Sequence, residues 1–255
     1  MAELKKDPFA SLDSIYNDLN EMWRLGIKKA CGDMRWYKYD LIIMQVINEY
    51  TKNLVDRGFT PPDWHLIKAM LWTETGAVTN GVDNLVWLKK PMQIGNRNDP
   101  AMQVVLSGTE CTDLVVPTDT RKKLTSEKIT TDPYFNIFAG IGYLLSRFAH
   151  CNMVEEADLQ ENEVHEYTVT KGDNLFSIAK NNGTTEASLK QESGLLSDSL
   201  KLSQVLKYKK MHTTKKISSW DVLTPEEVAK RYNGGGDNKY VKKLRYCLGV
   251  MQLDQ

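Results

Sequence analysis

The sequence predicts a mainly α chain interrupted by one small α+β module, and three observations carry that expectation. Apolar residues recur at helical spacing over most of the chain outside residues 155–217. Several of those runs begin at a Thr-Pro or Asp-Pro pair, the pattern of a capped helix start. Between an acidic run and a basic run lies a segment, residues 166–209, that reads as strand, helix, helix, strand.

The chain has 255 residues, enough for one large or two smaller domains. Lys and Arg total 33 and so do Asp and Glu, so no net field draws it to nucleic acid or to an anionic membrane. No stretch approaches the roughly 20 apolar residues of a membrane span, so stable membrane insertion is not expected. The start, Met1 to Pro8, lacks the apolar core of a secretory signal, which predicts synthesis in the cytoplasm. Cys31, Cys111, Cys151 and Cys247 are widely spaced, which favours buried thiols, with disulfides if the protein ends in an oxidising compartment. The four histidines are scattered, and neither a metal site nor a cofactor is expected.

In chain order, Leu12, Ile15, Leu19 and Met22 or Trp23 mark a first helical run. Leu41, Met44, Ile47, Leu54 and Val55 mark a second, so two helices precede residue 60. The next helix is Trp64–Gly76, with Thr60 as the expected N-cap, Pro61 at the first helical position and Asp63 completing a capping box. On it Trp64, Ile67 and Leu71 form an apolar stripe whose next position is Glu74. A carboxyl at the rim of an apolar pocket loses hydration in its charged form, which raises its pKa and suits it to general-acid work. Residues 77–98 read as a loop or short hairpin, Pro100–Leu106 as a short helix, and residues 109–131 as surface loop. Asp132-Pro133 starts a strongly apolar helix, through Phe148 to about His150, expected to be central. Thr224-Pro225-Glu226-Glu227 starts another, and a last helix, Lys239–Leu248, carries Val241, Leu244 and Leu248 and closes at Gly249.

Four stretches in the outer parts, Glu74-Thr75-Gly76, Met92-Gln93-Ile94, Asn136-Ile137 with Gly140 and Tyr143-Leu144, and Tyr232-Asn233-Gly234-Gly235, resemble in order the motifs of lysozyme-like lytic transglycosylases. These are the enzymes of the soluble-transglycosylase and goose-type lysozyme group. The resemblance covers roughly residues 60–150 and 218–248 and departs at Thr75, usually Ser, and at Lys90-Pro91, usually Gly-Leu. It implies a discontinuous lysozyme-like helical domain in which Glu74 is the acid/base. Tyr232 would orient Glu74, and Thr75, Met92, Gln93, Ile94, Asn136 and Asn233 would line the sugar cleft. It implies attack by the muramoyl C6 hydroxyl on C1, giving a 1,6-anhydro product with one carboxyl. A hydrolase would need a second carboxylate, for which Asp83, Asp99 and Asp132 are the nearest in sequence.

The segment from Tyr167-Thr168-Val169 through Gly172-Asp173-Asn174-Leu175 to Val205-Leu206-Lys207-Tyr208 resembles a lysin-motif (LysM) domain of βααβ fold. That resemblance implies binding to GlcNAc-containing glycan through Gly172, Asp173, Asn174 and Leu175 together with Gly194, Leu195, Leu196 and Ser197.

The expected layout is therefore a catalytic domain over residues 1–154 and 218–255, linkers at 155–165 and 210–217, and a LysM module at 166–209. Both linkers read as solvated, with attraction between their opposite charges across the base of the insert as the alternative. Both implied domains point to peptidoglycan. The expected role is an antibacterial effector exported without a signal peptide, acting in a target cell's periplasm or wall. Its expected partners are a cognate immunity protein and a secretion-system component. The alternatives are a phage lysin with hydrolytic muramidase activity and a non-catalytic peptidoglycan-binding protein.

Overall fold

The computed structural model describes residues 7–76, 81–97, 99–158 and 163–254, with the side chains of residues 81–84 excepted. It divides into two compact units, Met1–His150 with Ile217–Gln255, and Cys151–Lys216.

The first unit is helical. Its N-terminal run is broken into α1 (Ala10–Ile15) and α2 (Glu21–Cys31), because the Asn20 side chain caps α2 by accepting from the Trp23 N–H at 3.0 Å. Among the described residues three α-helices therefore precede residue 60, the third being α3 (Asp40–Leu54), which runs on into a 3-10 turn at Val55–Arg57. The next helix, α4, spans Trp64–Leu71 and is capped by Asp63, whose Oδ1 accepts from the His65 N–H at 3.0 Å. The expected Thr60 cap is displaced because Pro61 and Pro62 hold the chain extended up to Asp63. From Trp72 to Gly76 the backbone widens into one π turn.

The expected loop or hairpin after residue 80 is a helix, α5 (Gly81–Lys89), anchored by buried Trp87. Residues 77–80 and 98, which shared that expectation, lie outside the described residues. α6 runs Pro100–Ser107 behind its Asp99 cap. The predicted surface loop instead holds three short helices, α7 (Thr112–Val115), α8 (Thr118–Arg121) and α9 (Ser126–Thr131). Val115, Val116 and Ile129 are buried there, so packing holds α7 and α9, whose Thr-rich sequence carries little propensity of its own, whereas α8 buries no residue.

The central helix α10 (Pro133–Phe148) starts at its Asp132 cap, and Ile137, Phe138, Ile141, Leu144, Leu145 and Phe148 are all fully buried. It packs against α3, α6, α7 and α9. Two features fix that packing. The Tyr50 hydroxyl of α3 donates to the Phe138 carbonyl at 2.9 Å. A Cβ at Gly140 would lie 2.5 Å from the Met92 sulfur and 2.8 Å from Met92 Cβ, so only glycine lets that loop lie on the helix. Gly140→Ala is expected to lower stability by about 1–3 kcal/mol, the range for overpacking; chemical denaturation with an unchanged midpoint would contradict this contact.

Of the charged runs expected to be linkers, the basic one is strand from Met211 on and the acidic one begins in strand, over residues 155–157. β1 (Ala149–Ala157) and β4 (Met211–Trp220) form a two-stranded ribbon. The Asp221 N–H donates to the Phe148 carbonyl at 2.9 Å at one end and the Asp158 N–H to the Lys210 carbonyl at 2.9 Å at the other. The alternative reading, attraction between the runs, is met by a Lys216–Glu156 ion pair whose side chains remain partly solvated. Residues 159–162 of the acidic run lie outside the described residues.

The first unit closes with α13 (Pro225–Arg231), capped by Thr224 with the Glu227 N–H at 3.2 Å, and α14 (Tyr240–Leu253). α14 runs on through Gly249 instead of stopping there: Gly249 is not in the left-handed conformation of a C-cap, and Leu12 packs where a side chain would stand, 2.7 Å from an ideal Cβ.

The second unit is a βααβ fold. β2 (His165–Thr168) pairs antiparallel with β3 (Val205–Tyr208), with Tyr167 opposite Leu206. Between them lie α11 (Leu175–Asn181), opened by a capping box of Asn174 and Ser177, and α12 (Glu186–Ser193). Val169, Leu175, Ile178, Ala179, Leu189, Leu206 and Tyr208 form its core. Cys31 and Cys247 are free and buried, while Cys111 and Cys151 are disulfide-bonded, so the thiol expectation holds for two of the four.

Candidate functional site

Glu74 sits in the middle of the π turn, where the widened backbone carries it off the stripe that the α-helical spacing extrapolates. The turn is clamped from behind by Trp72, whose ring lies 4.8 Å from that of Trp36 and 4.5 Å from that of Trp87. It is clamped from the side by α14, which packs against both α4 and the turn. That packing brings the Tyr240 hydroxyl to Glu74, where it donates to Oε1 at 2.7 Å.

Burial pushes the Glu74 carboxyl above the ordinary glutamate range. The Tyr240 hydrogen bond and the Lys243 charge pull it back, and the charges of Asp237 and Asp99 push the other way. The net direction is upward, so the site keeps a proton on Glu74 to higher pH than a solvated glutamate would. Tyr240 and Tyr232 are both raised well above the usual tyrosine value, by burial first and by the Glu74 charge second, so both hydroxyls act as donors.

Glu74 opens onto a cleft of about 420 Å³. Gln93, Asp99, Tyr143, Tyr232 and Asn233 line it with Glu74, and Arg147, Lys230 and Arg231 complete its wall. The structure reassigns the work of most residues that the sequence placed here. Tyr232 does not bond Glu74: its hydroxyl donates to the Met92 carbonyl at 3.1 Å, and Tyr240 holds the orienting position.

Thr75 is buried and donates to the Leu71 carbonyl at 2.9 Å, so its hydroxyl braces the turn and does not face a ligand. Met92 and Ile94 line the cleft but are 1% and 3% exposed, so their side chains are core. Asn136 is fully buried beneath them: it accepts from the Met92 N–H at 2.9 Å and donates to the carbonyls of Ile94 at 3.0 Å and Ile129 at 2.8 Å. It positions the Met92–Ile94 loop and touches no cleft space.

Gln93 adopts φ +55°, a left-handed conformation costing about 1 kcal/mol for a residue with a side chain. Its Nε2 donates to the Glu74 carbonyl and its Oε1 accepts from Asn96 at 2.9 Å, so the strained residue ties the loop to the turn. Asn233 lines the cleft. Its side-chain amide lies beside the N–H groups of Asp237 and Gly236 in the glycine-rich turn.

Among the carboxylates weighed as a second catalytic group, Asp99 shares the cleft. Its two oxygens accept from the Ala101 N–H at 2.9 Å and the Gly95 N–H at 2.8 Å, which commits them to α6 and its loop. Asp132 caps α10. The Asp83 side chain lies outside the described residues. Tyr240, Lys243 and Asp237 are the participants that sequence reasoning missed. The signal available was Tyr240 standing at i−4 from Leu244 on an apolar helix face.

Removing the Tyr240 hydroxyl should be visible as a pH effect. In Tyr240→Phe the Glu74 carboxylate loses the donor that favours its charged form, so its pKa rises further. Any activity needing protonated Glu74 is then expected to persist to higher pH than in wild type. A pH–rate profile whose alkaline limb stayed in place or moved down would contradict the assignment. Tyr232→Phe breaks a bond to a carbonyl instead and is expected to cost about 0.5–1.5 kcal/mol of stability.

The second unit offers a different surface. Gly172 turns the chain at φ +96°, and Asp173 accepts from the Thr170 N–H at 2.7 Å and the Tyr167 hydroxyl at 2.9 Å. Those bonds, the Thr170 donation foremost, hold its carboxyl below the usual aspartate range. Asn174 is engaged in capping α11, and Leu175 is 3% exposed and belongs to the core, so its side chain is withdrawn from the proposed groove. Gly194 ends α12 in the left-handed conformation, and Leu195 packs partly against the core. Leu196 is fully exposed and Ser197 is exposed beside it. Phe176, which the sequence reading passed over, is also exposed.

Among the described residues, no group of three or more His, Cys, Asp or Glu side chains is placed to hold a metal. No helix among them is long and apolar enough to cross a membrane.

Residues 167–209 match the family model described as the LysM domain, so the chain carries a LysM domain, a peptidoglycan-binding module, over that stretch. No curated protein and no solved structure matches the chain.

Proposed function

We propose that the chain is a peptidoglycan-cleaving enzyme of lytic-transglycosylase type, brought to its polymer by the LysM domain. The observation that carries the catalytic half of this reading is Glu74 itself: a desolvated carboxyl with a raised pKa, held by one phenol at the wall of a cleft. The proposed chemistry uses that one group twice. Glu74 donates its proton to the glycosidic oxygen as the C1–O bond breaks. The resulting carboxylate then takes the proton of the muramoyl C6 hydroxyl as O6 bonds to C1, which regenerates the acid and leaves a 1,6-anhydro end. The engagement of both Asp99 oxygens by backbone donors supports the one-carboxyl route over hydrolysis.

The binding half rests on the LysM match. Tethering raises the local concentration of the cleft along a bound strand. The role proposed for the enzyme is that of an antibacterial effector acting in the wall of a target cell. Its internal binding module favours this over a lysin with a terminal one, and the disulfide-bonded Cys111 and Cys151 suit an oxidising compartment.

The test separates the two halves. Sedimentation with insoluble peptidoglycan measures binding, and loss of turbidity measures cleavage, for wild type and Glu74→Gln. Both proteins should co-sediment and only wild type should clear the suspension. Co-sedimentation without clearing by wild type would favour a non-catalytic binder.

A further inference from the structure

The cleft that holds Glu74 carries opposite charges in its wall. Glu74 and Asp99 line it, and so do Arg147, Lys230 and Arg231. Tyr143 and Tyr232, with ring centroids 5.7 Å apart, also line it. The charges acting on Glu74 come from Lys243, Asp237 and Asp99, whereas Tyr143 is acted on by both Arg147 and Asp99.

The three cations are not equally engaged. Arg231 is a strut: it pairs with Asp221 at 2.8 Å and Glu227 at 2.8 Å, and donates to the Arg147 carbonyl at 3.2 Å. It fixes the end of α10 against α13. Arg147 stands one helical turn after Tyr143 on α10 and pairs with Glu110 at 2.6 Å, with both side chains well exposed. An exposed pair of this kind contributes only about 0–1 kcal/mol, so a ligand carboxylate can compete for the guanidinium. Lys230 is 74% exposed at its side chain, and its nearest acid, Glu227 at 4.0 Å, already bonds Arg231.

We infer that Arg147 and Lys230 form a carboxylate-reading subsite that selects glycan strands still bearing their anionic peptide substituents. This rests on the proposed glycan-cleaving role of the cleft. A strand lying over Glu74 presents sugar to the tyrosines and, at a lactyl-linked residue, a peptide whose free carboxylates reach the cationic wall. Arginine suits a planar carboxylate through paired N–H donors, and lysine adds a point charge. Bare GlcNAc polymer offers neither contact.

The test uses the full chain carrying Glu74→Gln, so that ligand is not consumed if Glu74 is catalytic. Calorimetric affinities are measured for the GlcNAc-MurNAc disaccharide with its peptide and for the same disaccharide without it, its lactyl carboxyl capped as the methylamide. Arg147 and Lys230 lie outside the LysM domain, so a change in the ratio on substituting them reports the cleft. The background protein should prefer the peptide-bearing ligand. Lys230→Gln and Arg147→Gln should each reduce that preference by roughly three- to tenfold, more at low salt than at high.

Equal affinity of the background protein for the two ligands would overturn the inference, as would a preference that both substitutions leave intact. Lys230 is a solvent-facing residue, so its substitution alone decides the matter if Arg147→Gln lowers thermal stability. Turnover of peptidoglycan by the chain with Glu74 intact is measured beside it. A lost preference with turnover retained contradicts only the subsite, and absent turnover with the preference retained contradicts only the catalytic reading.

Discussion

Glu74→Gln is expected to reduce peptidoglycan cleavage by about 10²–10⁴-fold, the range supplied by a positioned general acid. The amide keeps the shape of the side chain and can still accept from Tyr240, but it has no proton to give. The same substitution should not harm the fold. Because the folded-state pKa of Glu74 lies above its ordinary value of 4.5, the folded protein binds that proton more tightly than the unfolded chain. The associated stability is fully present below the unfolded value and is lost as pH rises through the folded one. Glutamine carries no such loss, so the variant should match wild type in melting temperature at about pH 4 and equal or exceed it at pH 8. Differential scanning calorimetry at the two pH values checks the sign. A variant that melted lower at pH 8 would mean that the charged carboxylate is what the fold favours.

Asn136→Ala is the second large effect, and it falls on stability and geometry together. The substitution removes an acceptor from the Met92 N–H and donors from the Ile94 and Ile129 carbonyls, all in the interior. With each orphaned buried group costing about 1–3 kcal/mol, a total near 3–5 kcal/mol is expected once partial relaxation is allowed. Denaturant unfolding measures it. Because the loop it holds also carries Gln93 under the Glu74 turn, activity of the fraction still folded should fall as well. A loss below about 1 kcal/mol would mean that the loop is held by Met92 packing on Gly140 and not by the amide.

These two residues also show how far the sequence could be read. Glu74 and Asn136 were both legible as important positions, one from an apolar stripe and both from an ordered set of short motifs. Their roles separated in the fold: Glu74 faces the cleft, whereas Asn136 lies beneath it. Short motifs mark positions without distinguishing a side chain that meets ligand from one that holds the backbone meeting it.

The starts of α10 and α13 were legible because Asp-Pro and Thr-Pro caps act through contacts within a few residues. The βααβ unit was legible for the same reason: its turn, its capping box and its alternating strands are local. The π turn was not, since α-helical spacing extrapolates smoothly through Trp72–Gly76 and the extra residue per turn depends on Trp72 lodging between Trp36 and Trp87. Tyr240 was missed because its link to Glu74 spans 166 residues. The stripe chosen for the last helix, Val241–Leu244–Leu248, is rotated from the buried one of Tyr240, Leu244, Cys247 and Met251. The helices between residues 112 and 131 are each too short to declare a period, and burial of Val115 and Val116 at α7 and of Ile129 in α9 is not legible from local sequence.

The proposed catalytic cycle is most directly tested by mass analysis of the soluble fragments released from purified peptidoglycan. Wild type is predicted to release muropeptides ending in 1,6-anhydro sugar, 18 Da lighter than their hydrolysed counterparts because water is not added, and Glu74→Gln is predicted to release almost none. Reducing-end fragments would contradict the one-carboxyl route, and equal release by wild type and Glu74→Gln would contradict the role given to Glu74.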